Sequence, residues 1–301
     1  MAAGGPAGNG GAAFVDVQGL GRRYGDAWAV RGLAFQVRRG EILGIIGPNG
    51  AGKTTALKML AGLLAPSEGG ARVGGLAIDA AEHRAQTGYL PEESPLYDEL
   101  SPQGYLRFFG DLYGVPRGVA SERSEAALRL LQLDARPGQK LGDLSKGNRR
   151  KVAIARTLVN DPALLLYDEP ASGLDPVASA SILELLRTMR AQGKALILSA
   201  HNLYHMERVC DRVLILRQGS VAALGTMAEI RAAAGGTEYV VLLSVALPGA
   251  APVEEGWELV VPSLDDVPAL EKRAQAAGGR MLGVEPRALS LEDIFLKRVA
   301  R

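Results

Sequence analysis

The chain has 301 residues and a single cysteine, Cys210, so no internal disulfide framework can hold it. That count agrees with a reducing compartment. No uninterrupted apolar stretch reaches the about 18 residues that a membrane-spanning helix needs, so a membrane role would have to come through a partner. Charge of one sign is not in excess either. The 34 Lys and Arg against 33 Asp and Glu leave a formal net charge of +1, which marks out no surface for nucleic acid or anionic lipid. Met1 to Ala12 are mostly Ala and Gly and lack the positive start and apolar core of a signal peptide. Residues 1–13 are expected to form a flexible tail. Internal repeats, heptad arrays and Cys clusters are also missing.

What is present is 47% hydrophobic residues, enough for one large α/β domain and a smaller appendage. From Phe14 to Arg231, short apolar runs alternate with helical patterns. Strands are expected at Phe14–Val17, Leu33–Val37, Ile42–Ile46, Leu164–Tyr167, Ala195–Ser199 and Val213–Arg217, with a turn at Gly219 into one more. The continuous apolar runs Ile42–Ile46 and Leu164–Leu166 suit central strands buried on both faces, and the early amphipathic segments suit an antiparallel edge. Residues 98–160 read as a helical insertion. One helix starts at Ser101-Pro102, a capping side chain before a first-turn proline. Another pattern covers Ser124–Leu133 and is stopped by Arg136-Pro137-Gly138. Residues 232–301 suggest a small α+β domain in the order β-β-α-β-α. Its strands are expected at Glu238–Val245, Trp257–Val261 and about Arg280–Glu285, and its helices at Leu264–Ala277 and Leu291–Val299. Ser290 and Asp293 are spaced as a capping box for the last helix.

The strongest signal is Gly47-Pro48-Asn49-Gly50-Ala51-Gly52-Lys53-Thr54-Thr55, which fits the phosphate-binding pattern G-x-x-x-x-G-K-[ST] between an apolar strand and a helix. Glycines let successive backbone N–H groups turn towards phosphate oxygens, and the helix N-terminus adds its partial positive charge. Lys53 is then placed for β- and γ-phosphates, and the Thr54 hydroxyl for magnesium. The second half is Leu164-Leu165-Leu166-Tyr167-Asp168-Glu169. Asp168 is the candidate metal ligand and Glu169 the candidate general base. Alone, such a pair is as well read as a solvated strand end.

Together these residues resemble the ATP-binding cassette (ABC) ATPases, in family order across Phe14 to Arg231. Leu144-Ser145-Lys146-Gly147-Asn148 resembles the signature, usually Leu-Ser-Gly-Gly-Gln, before a basic helix from Arg149 to Val159. Ser172-Gly173-Leu174-Asp175 resembles the D-loop, and Gly88-Tyr89-Leu90-Pro91-Glu92 the Q-loop segment. His201 resembles the switch histidine, and Tyr24 the aromatic that stacks on adenine. The resemblance implies a P-loop NTPase core with an antiparallel β subdomain and a helical insertion. It implies head-to-tail pairing, in which Ser145 and the Gly147 amide reach the γ-phosphate held by the opposite subunit and Asp175 shapes the interface. Each residue also has an ordinary reading: Ser145 as a helix cap, His201 as a structural strand-end side chain, Tyr24 as a packed aromatic and Asp175 as a turn. His83 and His205 have no such context and read as surface or packing residues.

Three positions depart from the family pattern: Lys146 for Gly, Asn148 for Gln, and Glu92 for Gln. A carboxylate at Glu92 can still meet magnesium through water, but its charge alters the local balance. The ending Leu289–Lys297 resembles the tail of exporter-type cassettes that serve a separate membrane subunit; read plainly, it is a capped amphipathic helix. The resemblance thus implies an ATPase with ATP and Mg2+ as cofactors, paired as a homodimer or heterodimer and bound to a membrane-spanning permease at the cytoplasmic face of the membrane. Residues 89–113 are the candidate permease groove, and no nucleic-acid partner is expected. The competing readings are a soluble ABC-type ATPase acting on the ribosome or DNA, and a regulatory cassette that binds ATP but barely hydrolyses it. The latter is encouraged only by Glu92 and opposed by Asp168, Glu169 and His201.

Overall fold

The computed structural model describes residues 12–133, 139–200 and 202–299. The expected stop at Arg136-Pro137-Gly138, His201 and residues 1–11 of the expected tail lie outside them. Two compact units divide between Ala223 and Leu224.

The first unit holds two sheets. In chain order its elements begin with β1 (Val15–Tyr24), β2 (Ala27–Val37), β3 (Ile42–Ile46), α1 (Lys53–Leu60), β4 (Glu68–Val73), β5 (Leu76–Ala77) and β6 (Thr87–Leu90). The helices α2 (Pro102–Leu112), α3 (Arg117–Leu130) and α4 (Lys146–Leu158) follow. Then come β7 (Leu164–Asp168), α5 (Pro176–Ala191), β8 (Ala195–Ala200), α6 (Leu203–Val209), β9 (Arg212–Arg217) and β10 (Ser220–Thr226), within which the units divide.

One sheet has the order β2-β1-β4-β5 and is antiparallel. Its first strands run longer than expected, because register shifts interrupt the alternation of buried residues. Val15 and Val17 are buried in phase, and the shift between Val17 and Leu20 brings Leu20 back to the same face. Such a bulge hides the continuation of a strand from a period-two pattern. The strands β4, β5 and β6 were not expected; β4, Glu-Gly-Gly-Ala-Arg-Val, has few of the residues that favour strands.

The second sheet has the order β10-β9-β3-β8-β7-β6, with parallel pairing from β9 through β6. Every residue of β3, β7 and β8 is buried, as continuous apolar strands require when both faces are covered. Because these strands are parallel, their C-terminal ends share one edge, where open α/β sheets gather their ligand-binding loops. The segments after β3, β6, β7 and β8 all leave from it. The helices α2, α3 and α4 pack on one another as the expected insertion. Ser101 caps α2 by accepting from the Gly104 amide at 3.1 Å. The α3 helix begins at Arg117, ahead of the expected Ser124, because the polar first turns carry little apolar periodicity.

The second unit contains α7 (Met227–Ala233), β11 (Thr237–Leu243), β12 (Ala251–Val253), β13 (Gly256–Val261), α8 (Val267–Ala276), β14 (Met281–Ala288) and α9 (Leu291–Val299). Its antiparallel sheet has the order β12-β13-β11-β14. Val241, Leu243, Val261, Val267, Leu270 and Ala274 form its core between sheet and α8. The division falls earlier than the expected boundary at Arg231 because α7 belongs with this unit: it packs on α9, and Arg231 Nε donates to the Leu289 carbonyl at 2.9 Å. The expected capping box of α9 is present, with the Asp293 amide 3.1 Å from Ser290 Oγ and the Ser290 amide 3.0 Å from Asp293 Oδ2. Among the described residues, no helix is long and apolar enough to cross a membrane.

Candidate functional site

The loop after β3 leads straight into α1, and glycine is needed at its two ends. A Cβ at Gly47 would stand 2.6 Å from the Leu216 carbonyl oxygen; one at Gly52, where φ is 102°, would stand 2.4 Å from that of Ala29. Gly52 also caps α1 without any side-chain hydrogen bond, and no acidic residue lies in the first turn. The leading N–H groups of a helix have no partner within it, so this end offers donors and partial positive charge to an anion. Lys53 is buried, and its Nζ donates to the carbonyl oxygens of Gly47 at 2.7 Å and Pro48 at 3.3 Å. The ammonium thus lies against the loop with no carboxylate on it in these bonds.

A cavity of about 590 Å³ opens here. Of the residues singled out from the sequence, Asn49, Gly50, Ala51, Gly52, Lys53, Thr54, Thr55, Glu92, Asp168 and Glu169 line it. Gly47 and Pro48 contribute through their carbonyls to Lys53. Asp168 ends β7 and is 2% exposed. Ser199 Oγ, on the neighbouring β8, donates to Asp168 Oδ1. Ser199 Oγ in turn accepts from the Glu169 amide at 3.1 Å, and the Ser199 carbonyl accepts from that amide at 3.2 Å. Glu169 itself has φ 50°, a left-handed conformation that costs a side-chain-bearing residue about 1–2 kcal/mol. The bonds to Ser199 anchor the residue in it. Ser199 was missed in the sequence; its signal was a lone hydroxyl within an apolar strand.

The donor set suits Mg2+ arriving with a nucleotide. Among the described residues no group of three or more His, Cys, Asp or Glu side chains could hold a metal alone. Mg2+ in phosphate sites is held by one or two carboxylates, water and the phosphates themselves, and here the buried Asp168 and Glu169 line the same cavity as Thr54. The Tyr89 hydroxyl is buried without a hydrogen-bond partner. Burial, helped by the negative charge of Asp168, pushes its pKa up to about 12. It stays a neutral donor that a water at the carboxylate could use.

Tyr24, Ser145, Gly147 and Asp175 do not line this cavity. Tyr24 ends β1 half exposed, with the Arg22 guanidinium 5.0 Å from its ring centre. Ser145 caps α4, its Oγ accepting from the Asn148 amide at 3.3 Å. A Cβ at Gly147 would meet that of Ala178 at 3.0 Å. Asp175 caps α5, Oδ1 accepting from the amides of Val177 at 3.0 Å and Ala178 at 2.9 Å. That helix was hidden by reading Leu174-Asp175-Pro176 as a turn, although Asp then Pro is also a helix start. His83 is fully buried, so the packing reading is the one that holds.

Arg150 on α4 was also missed. It stands three and four residues before buried Ala153 and Ile154, a spacing that puts it on the inner helix face. Its guanidinium bonds both the loop after β6 and the end of β7.

Residues 30–172 match the family described as ABC transporter. The Nod factor export ATP-binding protein I of Ralstonia nicotianae is 35% identical over 302 residues, covering 96% of this chain and 94% of that protein. The linearmycin resistance ATP-binding protein LnrL of Bacillus subtilis is 33% identical over 231 residues, 76% of this chain and 74% of that protein. A solved ATP-binding subunit of an ABC transporter is similar with a TM-score of 0.66 and 35% identity, over 73% of this chain and 92% of that one.

Proposed function

Because the chain belongs to the ABC transporter family, we propose that it binds and hydrolyses ATP to drive export through a separate membrane-spanning permease. The observation that carries the reading is one cavity joining the uncapped start of α1, Lys53, Thr54, Asp168 and Glu169. Phosphates would lie on the amides of residues 49–55, with Lys53 turning from its loop carbonyls to the β- and γ-phosphates. Thr54 and Asp168 would hold Mg2+, with Glu92 reaching it through water. The ion would neutralise charge developing on the phosphates. Glu169 would accept the proton of the attacking water, and His201 would orient that water. Tyr24 would stack on adenine.

Two chains would pair head to tail, as a homodimer. Ser145 and Gly147 of one would then complete the phosphate cavity of the other, with Asp175 beside them. Within one chain they do not line that cavity, which supports that division of labour. ATP would act as the joint, and loss of the γ-phosphate would loosen it. For the permease, residues 89–113 carry an exposed aromatic group: Tyr97, Phe108 and Tyr113. Tyr97 packs edge-on against Phe108 at 5.7 Å between ring centres. Tyrosine and phenylalanine exposed together suit a protein contact. Export is the direction in the name of the Ralstonia relative, and the chain would sit at the cytoplasmic face of the membrane.

The test is mild-detergent purification of tagged protein from its native membranes. A multi-spanning protein recovered in stoichiometric amount is the expected result. Recovery only from the soluble fraction, with ribosomes or DNA-bound factors, would overturn the transport reading in favour of a soluble ABC-type ATPase.

A further inference from the structure

The Arg150 guanidinium makes six hydrogen bonds, none of them to a carboxylate. Nε donates to the Pro170 carbonyl at 3.0 Å. Nη1 donates to the carbonyls of Pro91 at 3.0 Å and Glu92 at 2.8 Å, and to Ser94 Oγ at 3.4 Å. Nη2 donates to the carbonyls of Asp168 and Glu169, both at 2.9 Å. Burial pulls its pKa down to about 10, against the opposing pull of the Asp168 and Glu92 charges. Taking a cation out of water is costly unless its donors are matched. Here five of the six partners are backbone carbonyls, from two segments far apart in sequence.

The pattern is directional. One corner of the planar fork holds the loop after β6, and the other two hold the turn after β7. The fork is rigid and its stem is fixed on α4, four residues into a helix that begins at Lys146. A shift of the first loop therefore has to move the turn, move α4 or break bonds. That loop is also a shared wall. Glu92 lines the phosphate cavity and a second cavity of about 680 Å³, whose lining includes Glu93, Lys146, Arg150 and Ser172.

We infer that Arg150 is a positioning residue that ties the Glu92 loop to the Asp168–Pro170 turn and to the N-terminus of α4, so that the three move as one unit. The consequence for turnover rests on the reading above, in which Glu169 acts on water; the mechanical tie does not.

Lysine would keep the charge but concentrate its donors at one point, and glutamine would keep two donors without the charge. Hydrogen exchange of the nucleotide-free full-length chain is compared for wild type, Arg150→Lys and Arg150→Gln. Peptides covering residues 91–95 and 168–174 should both exchange about ten-fold faster in each variant, with β3 and α2 unchanged. Faster exchange in α4 alone, or in only one of the two segments, overturns the inference whether or not the chain hydrolyses ATP. In turnover, Arg150→Lys should lower kcat about ten-fold and leave KM for ATP within about two-fold. A raised KM for ATP with kcat unchanged would overturn the positioning role. If Arg150→Lys does not fold, Arg150→Gln carries both measurements. An inactive wild type would count against the ATPase reading alone, and the exchange data would still decide this one.

Discussion

Ser199 holds Asp168 and Glu169 at once: its Oγ donates to Asp168 Oδ1 and accepts from the Glu169 amide at 3.1 Å. The parallel register places Asp168 opposite Ser199, so one hydroxyl on β8 sets both acidic residues at the end of β7. It orients the candidate metal ligand and helps keep the next residue in its left-handed conformation.

Ser199→Ala should therefore cost about 1–3 kcal/mol of stability, the range for leaving a buried acceptor without its donor. The midpoint of the Mg2+ dependence of ATP turnover should move to higher concentration. Chemical denaturation and a Mg2+ titration check the two effects separately. An unchanged Mg2+ midpoint, despite lost stability, would show that Ser199 does not set Asp168 for the metal.

Lys53→Ala should weaken ATP binding by about ten-fold or more, as expected when a charge-assisted bond to phosphate is lost. Fold stability should change little, because Lys53 Nζ is held by the carbonyls of its own loop and its removal leaves no paired carboxylate behind. Titration with a fluorescent ATP analogue measures the affinity. Undiminished affinity would count against the phosphate assignment.

The phosphate loop was legible because its chemistry is contiguous: the eight positions from Gly47 to Thr54 carry glycines, lysine and threonine in a fixed spacing. The central strands were legible for a similar reason, since Ile42–Ile46 and Leu164–Leu166 are apolar without interruption and buried throughout. Ser199 and Arg150 were not, because their importance lies in what they meet across the sheet, 31 and 58 residues away in Asp168 and Glu92. Arg150 was further hidden by its neighbours Arg149 and Lys151, which make it look like one more surface charge. Bulges concealed the length of β1, and Gly-rich composition concealed β4.

His83 gives the fold a pH-dependent term. The ring is fully buried, with Nε2 2.7 Å from the Leu60 carbonyl at the end of α1 and Nδ1 without a partner. Burial lowers its pKa below the ordinary value, the Leu60 bond acts the other way, and Arg84 adds to the lowering. In the unfolded chain the ring takes a proton below about pH 6.5, while the folded state resists. Its stabilising contribution is therefore complete above that value and is lost as pH falls through the lowered folded pKa. Melting temperature should fall more steeply below pH 6.5 in the wild type than in His83→Gln, whose amide can still donate to Leu60. Parallel curves for the two proteins would show that His83 protonates equally in both states.

Glu169→Gln tests the catalytic assignment with the least disturbance to structure. Glutamine has the same shape, and the backbone bonds from the Glu169 amide to Ser199 do not involve the side chain. The left-handed φ and the position of the group should survive. What is lost is the ability to take a proton from water. A general base contributes about 10²–10⁴-fold to rate, so turnover should fall by at least about 100-fold while ATP affinity holds. With hydrolysis blocked, the γ-phosphate stays between the two chains and the closed pair should accumulate. Size-exclusion chromatography with Mg-ATP should then show a dimer for Glu169→Gln and mostly monomer for Lys53→Ala, which cannot hold the nucleotide. Turnover at the wild-type rate would mean that another residue is the base. Slow turnover without a dimer would keep Glu169 as the base and remove ATP as the joint between chains.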